Sequence, residues 1–186
     1  MGRCPADCYR RAMGLAADLG YRIGEPTVLH RSVRAVASTA LGARVLAHTL
    51  PMFDRAVARV SGGRTTAVEL LAGLPLLGLT STGRRSGQPR YAPLIAVPFR
   101  DSLAVLGTNF GQASTPTWAL NLEAEPRAEV THGDVTLTVV ARRADEAERA
   151  EILARAGEVY IGYPKYLQRI TGREVRVFVL ERPATS

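Results

Sequence analysis

A polar turn between two apolar runs holds the residues best suited to bind an anion. Residues 79–90 read Leu-Thr-Ser-Thr-Gly-Arg-Arg-Ser-Gly-Gln-Pro-Arg and contain three arginines and two glycines. Guanidinium groups bind phosphate or carboxylate through paired hydrogen bonds, glycine permits a tight turn, and exposed N–H and hydroxyl groups can donate to oxygen atoms. The flanking runs, 74–79 and 91–99, are apolar enough to form strands. The segment therefore predicts an anion grip on a β-hairpin.

The same segment comes close to a phosphate-binding P-loop without being one. Gly78 and Gly83 have the P-loop spacing, but Arg84 and Arg85 stand where lysine and then serine or threonine should follow. A P-loop also opens into a helix, whereas Pro89 leads here into an apolar, strand-like run. These differences exclude a nucleotide hydrolase of that type.

Other groups that could do chemistry are scattered along the chain. The histidines, His30, His48 and His132, lie far apart without acidic pairs at metal spacing, and Cys4 and Cys8 lack a second ligand pair. The Gly-x-Ser-x-Gly nucleophile motif is absent. We therefore expect no metal site, and we expect a cofactor to carry the difficult chemical step.

The basic charge is concentrated towards the N-terminus. The net charge is +7, and residues 1–65 hold ten arginines against four acidic residues. Apolar residues recur at helical spacing over 30–60, which predicts either a peripheral membrane contact through basic amphipathic helices or ordinary packing on the rest of the chain. Aromatic residues do not interleave with this charge, so we expect no nucleic-acid partner. Without a secretory pattern or a long apolar run, we expect a cytoplasmic protein, with membrane association as an alternative.

The elements that must position these residues fall into two parts. We expect residues 1–61 to form a basic helical extension and residues 62–186 a cofactor-binding domain. Alternating apolar residues and turn signals predict six strands, at 74–82, 90–99, 103–108, 127–132, 134–143 and 174–181. Thr115 as N-cap and Pro116 as first residue predict one helix, and Asp145 with Glu148 predicts a capping box for another. This order predicts a small, mainly antiparallel α+β barrel with flanking helices.

Three separated motifs carry a resemblance to a known family. They are residues 83–90 followed by Pro93 and Leu94, then Pro-Thr-Trp-Ala-Leu-Asn at 116–121, and finally tyrosines at 160, 163 and 166. Over about residues 62–183 the chain resembles the deazaflavin-dependent nitroreductases, also described as coenzyme F420-dependent nitroreductases and quinone reductases. The resemblance implies a split β-barrel similar to the FMN-binding split barrel and cytoplasmic reduction that depends on F420H2.

The resemblance also implies which residues contact coenzyme F420. Arginines and a serine of the turn would hold the anionic phosphate and oligoglutamate tail, and the following strand would run beside the cofactor. The third strand would meet the deazaflavin or its linker, the helix would line the far side, and a tyrosine would close the site. In chain order these residues are Arg84, Arg85, Ser86, Arg90, Tyr91, Ala92, Pro93, Leu94, Ile95, Leu106, Gly107, Thr108, Asn109, Thr117, Trp118, Ala119, Leu120, Asn121 and Tyr163.

The implied reaction is hydride transfer from F420H2 to a small electron-poor acceptor, a quinone or a nitro compound. Hydroxyl donors would stabilise the negative charge that develops on the acceptor, with Thr108, Tyr160 and Tyr166 as the catalytic candidates. One alternative is a reductase of the same fold that uses FMN. Another is a non-catalytic protein that binds a flavin, haem or a lipophilic ligand in the barrel. The sequence does not determine the oligomeric state or the physiological acceptor.

The chain departs from the family pattern in one loop and at one helix position. The loop after the third strand often offers a lysine followed by two glycines, whereas this chain has Asn109, Phe110 and Gly111. Helix position 117 is Thr117, where a bulkier apolar residue is frequent. These departures concern the cation that would meet the cofactor tail and the shape of the substrate pocket.

Overall fold

The structure is a computed structural model that describes residues 14–24, 39 and 73–184. The helices of these residues are α1 (Leu15–Asp18), α2 (Thr117–Ala124), α3 (Glu146–Val159) and α4 (Gly162–Arg169), and a short 3-10 turn spans Asn109–Gly111. The strands are β1 (Leu77–Thr82), β2 (Pro89–Leu94), β3 (Ala96–Phe99), β4 (Ser102–Leu106), β5 (Arg127–His132), β6 (Val135–Arg143) and β7 (Val177–Glu181).

The strands form one curled sheet. Their order is β2-β1-β5-β6-β7-β4-β3, and every neighbouring pair is antiparallel. Strands β2 and β3 occupy opposite edges of this sheet, yet only Ile95 separates them in the chain. Because consecutive Cα atoms lie only about 3.8 Å apart, the two edges must meet at Ile95. The sheet therefore curls into a half-barrel, which confirms the predicted barrel-like α+β fold.

The predicted number of six strands was wrong, because the run at 90–99 forms two strands instead of one. The main chain leaves the edge of β1 after Leu94 and joins β4 from Ala96 onwards. At the break, the carbonyl of Ile95 accepts a hydrogen bond from the hydroxyl of Tyr163 at 2.7 Å. A seven-stranded sheet results, and the periodicity of the apolar run contains no signal for this change of partner.

Alternate residues of the strands face two separate apolar cores. Leu103 and Val105 of β4 lie in the core inside the barrel, together with Trp118 of α2. Ala104 and Leu106 lie in a second core, which packs against α3 and α4. Side chains alternate between the faces of a strand, so the two faces of β4 serve two different layers.

The structure corrects the start of α2 and confirms the capping box of α3. Pro116 is the N-cap of α2 and Thr117 its first residue, so the predictions of Thr115 as N-cap and Pro116 as first residue were each wrong by one residue. The hydroxyl of Thr115 accepts a hydrogen bond from Arg176 Nη1 at 3.0 Å instead. At α3, the Asp145 side chain accepts from the Glu148 N–H at 2.8 Å, and the Glu148 carboxylate accepts from the Asp145 N–H at 3.1 Å.

Residues 14–24 belong to the barrel. Leu15, Leu19 and Tyr21 are buried in the inner core. The Tyr21 hydroxyl accepts from the Ala96 N–H at 2.9 Å and lies within donating distance of the carbonyls of Pro75 (3.0 Å) and Ala96 (3.1 Å). This segment thus contacts the place where β2 gives way to β3.

The basic helices predicted over 30–60 and most of the extension at 1–61 lie outside the described residues. Among the helices that are described, none has the length and apolar character needed to cross a membrane.

Candidate cofactor site

The predicted anion-binding segment is a turn at 83–88 that joins β1 to β2. The Gly83 N–H donates to the Gln88 carbonyl at 2.8 Å, and the Gly83 carbonyl accepts from the N–H groups of Ser86 (3.1 Å) and Gly87 (2.7 Å). Gly87 has a φ of 66°, which favours glycine. A Cβ at Gly83 would lie 2.8 Å from Ser86 Oγ and 3.0 Å from the Gln88 carbonyl oxygen, so a larger residue there would force the turn or the Ser86 side chain to shift. The predicted hairpin is confirmed.

The main-chain N–H groups of the turn are largely used inside the protein. Four of them bond within the turn, namely those of Gly83, Ser86, Gly87 and Gln88. The N–H of Arg84 donates to Asn121 Oδ1 at 3.1 Å. An anion at this turn must therefore be held chiefly by side chains and not by the main-chain donors that the composition suggested.

Three guanidinium groups stand exposed at this turn, those of Arg84, Arg85 and Arg90. Within the described part of the chain, ion pairs are formed by other arginines, at positions 100, 142, 143, 149, 155, 176 and 182. Arg90 Nη2 donates to Ser86 Oγ at 3.3 Å, which holds this guanidinium beside the turn. Among the described residues these three cations have no carboxylate partner, and together they create a positive surface suited to an anionic ligand.

Asn121 connects this turn to α2. Its side chain is 1% exposed, and its Nδ2 donates to Ser81 Oγ of β1 at 3.1 Å while its Oδ1 accepts from Arg84. Both ends of the amide are thus satisfied inside the protein, as burial of a polar group requires. The Asn121 amide thus joins the arginine turn to the helix, and a contact between Asn121 and the cofactor stays a prediction.

A cleft of about 250 Å³ lies between β2 and α2. Its lining is formed by Arg90, Tyr91, Ala92, Thr117, Trp118 and Asn121. All six are among the residues that the resemblance implies for cofactor binding, and they come from two separate motifs. The Trp118 ring packs edge-on against the Phe178 ring in the barrel core, with 6.1 Å between the ring centroids, and this contact fixes its position.

Tyr91 faces away from the other β2 residues of the cleft. Side chains alternate along a strand, so Arg90 and Ala92 share one face and Tyr91 points to the other. On that outer face the Tyr91 ring covers Gly78, where a Cβ would lie 2.6 Å from Tyr91 Cε2. The Tyr91 residue is 64% exposed, and Tyr91 is one of the residues that line the cleft. No local sequence pattern indicates that Gly78 makes room for this ring.

Other predicted cofactor residues lie near the cleft without lining it. Pro93 pairs with Gly78 in the sheet, and Leu94 packs against the barrel core. Ile95 packs against the second core, and Ala119 is fully buried inside the barrel. Leu120 of α2 is half-buried.

The residues after β4 are also placed outside the cleft lining. Leu106 and Thr108 are each 5% exposed, and Leu106 belongs to the second core. The Gly107 N–H donates to the Arg176 carbonyl at 2.8 Å. Asn109 Nδ2 donates to the carbonyl and the hydroxyl of Ser114, at 3.1 and 3.0 Å. Contacts between these residues and the cofactor stay a prediction.

The three tyrosines form a buried cluster on the outer side of the sheet. The hydroxyls of Tyr160 and Tyr166 are hydrogen-bonded to each other at 3.0 Å, and Tyr163 donates to Ile95. All three belong to the second core, whereas Trp118 belongs to the core inside the barrel. Burial raises the pKa of Tyr163 and of Tyr166. The tyrosines therefore lie together as predicted, but none lines the cleft. The catalytic role of Tyr160 and Tyr166 and the cofactor contact of Tyr163 stay predictions.

Arg176 and Glu123 hold α2 from its far side. Arg176 Nε donates to Glu123 Oε1 at 2.6 Å, and its Nη1 donates to the hydroxyl of Thr115 just before the helix. Arg143 Nη1 donates to the same Glu123 oxygen at 3.1 Å. These residues position the helix that lines the cleft. They were missed in the sequence, where they look like ordinary surface charges.

Comparison with known proteins assigns the chain to a family. The family model described as F420H(2)-dependent quinone reductase matches residues 52–182. The chain belongs to this family. It is therefore an oxidoreductase, an F420-dependent reductase with coenzyme F420 as its cofactor.

Individual relatives agree with this assignment. A Mycobacterium tuberculosis (strain ATCC 25618 / H37Rv) protein, Rv3178, named for F420H(2)-dependent quinone reductase activity, is 31% identical over 107 residues, which cover 58% of this chain and 89% of that protein. The solved structure of an F420-H2-dependent reductase, FDR-A, is 33% identical, has a TM-score of 0.53 and covers 57% of this chain and 94% of its own. Another solved structure, described as a domain-swapped dimer, is 30% identical and has a TM-score of 0.55. The match covers 68% of this chain and 95% of the chain in that structure.

The residues at the cleft fit this cofactor. Exposed arginines suit phosphate and carboxylate groups, and Ala92 and Trp118 offer apolar surface to a flat ring system. The volume of about 250 Å³ lies below the roughly 300–1,000 Å³ of typical ligand sites. The cleft therefore suits one part of the F420 molecule, and the arginine turn beside it suits the anionic part.

Proposed function

We propose that this F420-dependent reductase binds its cofactor between the arginine turn, β2 and α2, and reduces a small electron-poor acceptor there. Quinones and nitro compounds are the acceptor classes that this proposal covers. The observation that supports it is the junction of two separated motifs, because Arg84 of the turn is bonded to Asn121 of α2 next to the cleft.

Different side chains would bind the anionic part and the ring system of F420. Arg84, Arg85 and Arg90 would hold the phosphate and tail carboxylates through charge-assisted hydrogen bonds. Trp118 would offer a fixed apolar wall, since its ring is only 9% exposed and packs against Phe178. When bound, reduced F420 supplies the hydride.

The start of α2 would face the reacting groups. Thr117 lies at the first helical position and lines the cleft. The first N–H groups of a helix lack acceptors within the helix, and they stabilise negative charge nearby. The Thr117 end of α2 would thus favour an acceptor that gains negative charge as it is reduced.

Binding and turnover of the purified protein test this proposal. We expect F420 to bind at micromolar concentration or tighter in a fluorescence titration, and more tightly than FMN. We expect F420H2 to be oxidised faster when a naphthoquinone or a nitroaromatic compound is added. Binding without acceptor-dependent oxidation would contradict the proposed reaction, and failure to bind F420 would contradict the proposed site.

A further inference from the structure

Arg173, between α4 and β7, directs its guanidinium to the loop that follows β4. Its Nη1 donates to the Gly107 carbonyl at 3.0 Å, and its Nη2 donates to the carbonyls of Thr108 (3.1 Å) and Gln112 (3.0 Å). Its Nε also donates to the Gln112 carbonyl at 3.3 Å, and Nη1 makes a longer contact of 3.5 Å with the Glu174 carbonyl. Three carbonyls of one loop therefore converge on a single side chain.

The loop held in this way has a strained backbone. Asn109, Phe110 and Gly111 have φ angles of 47°, 55° and 81°, so three consecutive residues are left-handed. Glycine adopts this conformation freely, whereas an asparagine and still more a phenylalanine lose stability in it. Such residues persist only where the surrounding structure enforces them. The contacts of Arg173 lie on both sides of the three residues and so enclose the turn.

Charge pairing does not account for the position of Arg173. Among the described residues it forms no ion pair, and the partners of its guanidinium are neutral carbonyls. Burial, and then the positive charge of Arg176, lower the pKa of Arg173. A planar fork with five N–H groups can span several carbonyls, whereas the compact ammonium of lysine cannot. The position of residue 173 therefore depends on the planar shape of the guanidinium group more than on its charge.

The enclosed loop leads directly to the cleft. After Gln112 the chain passes Ser114, whose carbonyl and hydroxyl are bonded to Asn109, and reaches Thr117 at the start of α2. The left-handed turn therefore lies on the segment that connects β4 to the start of α2, a segment that Arg176 also holds through the Thr115 hydroxyl.

We propose that Arg173 is a positioning residue of the cofactor site, which enforces the turn at Asn109–Gly111 and thereby fixes the start of α2 across the cleft from β2. This inference rests on the proposed site. Arg173 acts through the loop, because its donors are engaged with the loop carbonyls.

The test compares the wild-type protein with Arg173→Lys and Arg173→Ala. In both variants the loop loses the planar guanidinium that spans its carbonyls. We therefore expect the Kd for F420 to rise about tenfold and kcat to fall by a smaller factor. Guanidinium at low millimolar concentration should restore the affinity of Arg173→Ala and leave that of Arg173→Lys unchanged. If Arg173→Ala does not fold, Arg173→Lys provides the same comparison of Kd and kcat.

Hydrogen exchange of residues 107–117 tests the loop without any cofactor. We expect faster exchange in Arg173→Lys than in the wild-type protein, and wild-type behaviour in Arg155→Ala, which removes an exposed partner of Glu151 on α3. Wild-type exchange or wild-type F420 affinity in Arg173→Lys would overturn the proposal. A wild-type protein that does not bind F420 would overturn the proposed site instead, and the exchange result would then decide the role of Arg173.

Discussion

Single side chains at the turn carry the proposed specificity for an anionic cofactor. The turn uses most of its own N–H groups internally, so its positive charge resides in guanidinium groups at the ends of long side chains. Arg84 and Arg90 are exposed, and the Arg90 guanidinium donates to Ser86 Oγ at 3.3 Å. Charged groups of this kind bind oxyanions through bonds that salt weakens.

Removing two of these charges together should weaken cofactor binding strongly. For Arg84→Ala combined with Arg90→Ala we expect the Kd for F420 to rise about a hundredfold at low salt, since hydrogen bonds to charged groups contribute about 1.5 kcal/mol each. The effect should shrink at high salt because exposed charges are screened. Fluorescence titration at two ionic strengths measures both values.

The matched control removes the same charge elsewhere. Arg155 pairs with Glu151, and Arg182 pairs with Asp18. Arg155→Ala combined with Arg182→Ala should bind F420 like the wild-type protein. An equal loss in the control would mean that overall charge, and not the turn, attracts the cofactor.

At the scale of elements, α3 is fixed to the sheet by one buried carboxylate. Arg142 of β6 donates to both Glu148 oxygens, at 2.6 and 2.8 Å, while Glu148 also closes the capping box with Asp145. Arg100 lies 3.6 Å from the same carboxylate. The hydrogen bond from Arg142, together with that from the Asp145 N–H, lowers the pKa of Glu148 from 4.5 to about 2.

This carboxylate should make the stability of the fold depend on pH. A folded-state pKa below the unfolded value stabilises the protein at high pH, and this contribution is lost as the pH falls from about 4.5 towards 2. Glu148→Gln should lower the free energy of unfolding by about 2 kcal/mol at neutral pH, since a bond between charged partners is lost. It should also flatten the pH dependence between those values.

Urea unfolding between pH 2 and pH 7 tests this expectation. Glu151→Gln is the control, because Glu151 is more exposed than Glu148 and pairs with Arg100 and Arg155 at the surface. Such surface pairs contribute about 0.2–1 kcal/mol, so this variant should keep the wild-type pH dependence. The same pH dependence in Glu148→Gln and the wild-type protein would show that another group is responsible.

At the scale of the whole molecule, the barrel closes where β2 passes into β3. Two buried tyrosines from distant parts of the chain bind the main chain there, Tyr163 at Ile95 and Tyr21 at Ala96. Tyr21 lies outside residues 52–182, the span that matches the family model. The closure thus combines a helix of the family domain with a segment that precedes it.

Tyr21→Phe should destabilise the fold without changing the cofactor site. The change leaves the buried Ala96 N–H without its partner, which costs about 1–3 kcal/mol. We expect the melting temperature to fall by roughly 2–4 °C per kcal/mol lost, as for a domain of about 150–250 residues, and the Kd for F420 to stay the same. Thermal unfolding and titration measure the two effects. An unchanged melting temperature would contradict the role of Tyr21, and altered affinity would show that the closure and the cleft are coupled.

Local patterns were sufficient to predict several elements. The hairpin at 83–88, the capping box at Asp145 and the tyrosine cluster were all predicted, because turn chemistry, caps and helical spacing are properties of neighbouring residues. The family was recognised from three short motifs for the same reason. The first and last strands, by contrast, start three residues later than predicted, at Leu77 and Val177.

Only the tertiary structure decided which of these motifs meet. Ile95 breaks an apolar run that reads as one strand, because the sheet must curl there to bring its two edges together. Arg173 and Arg176 look like surface charges in the sequence, yet folding brings them to the loop after β4 and to α2. The arginine turn and the Trp118 helix share one cleft, while the tyrosines lie across the sheet in the other core. Sequence spacing determines which residues neighbour each other locally, and only the curl and pairing of the strands determine which distant residues share a site.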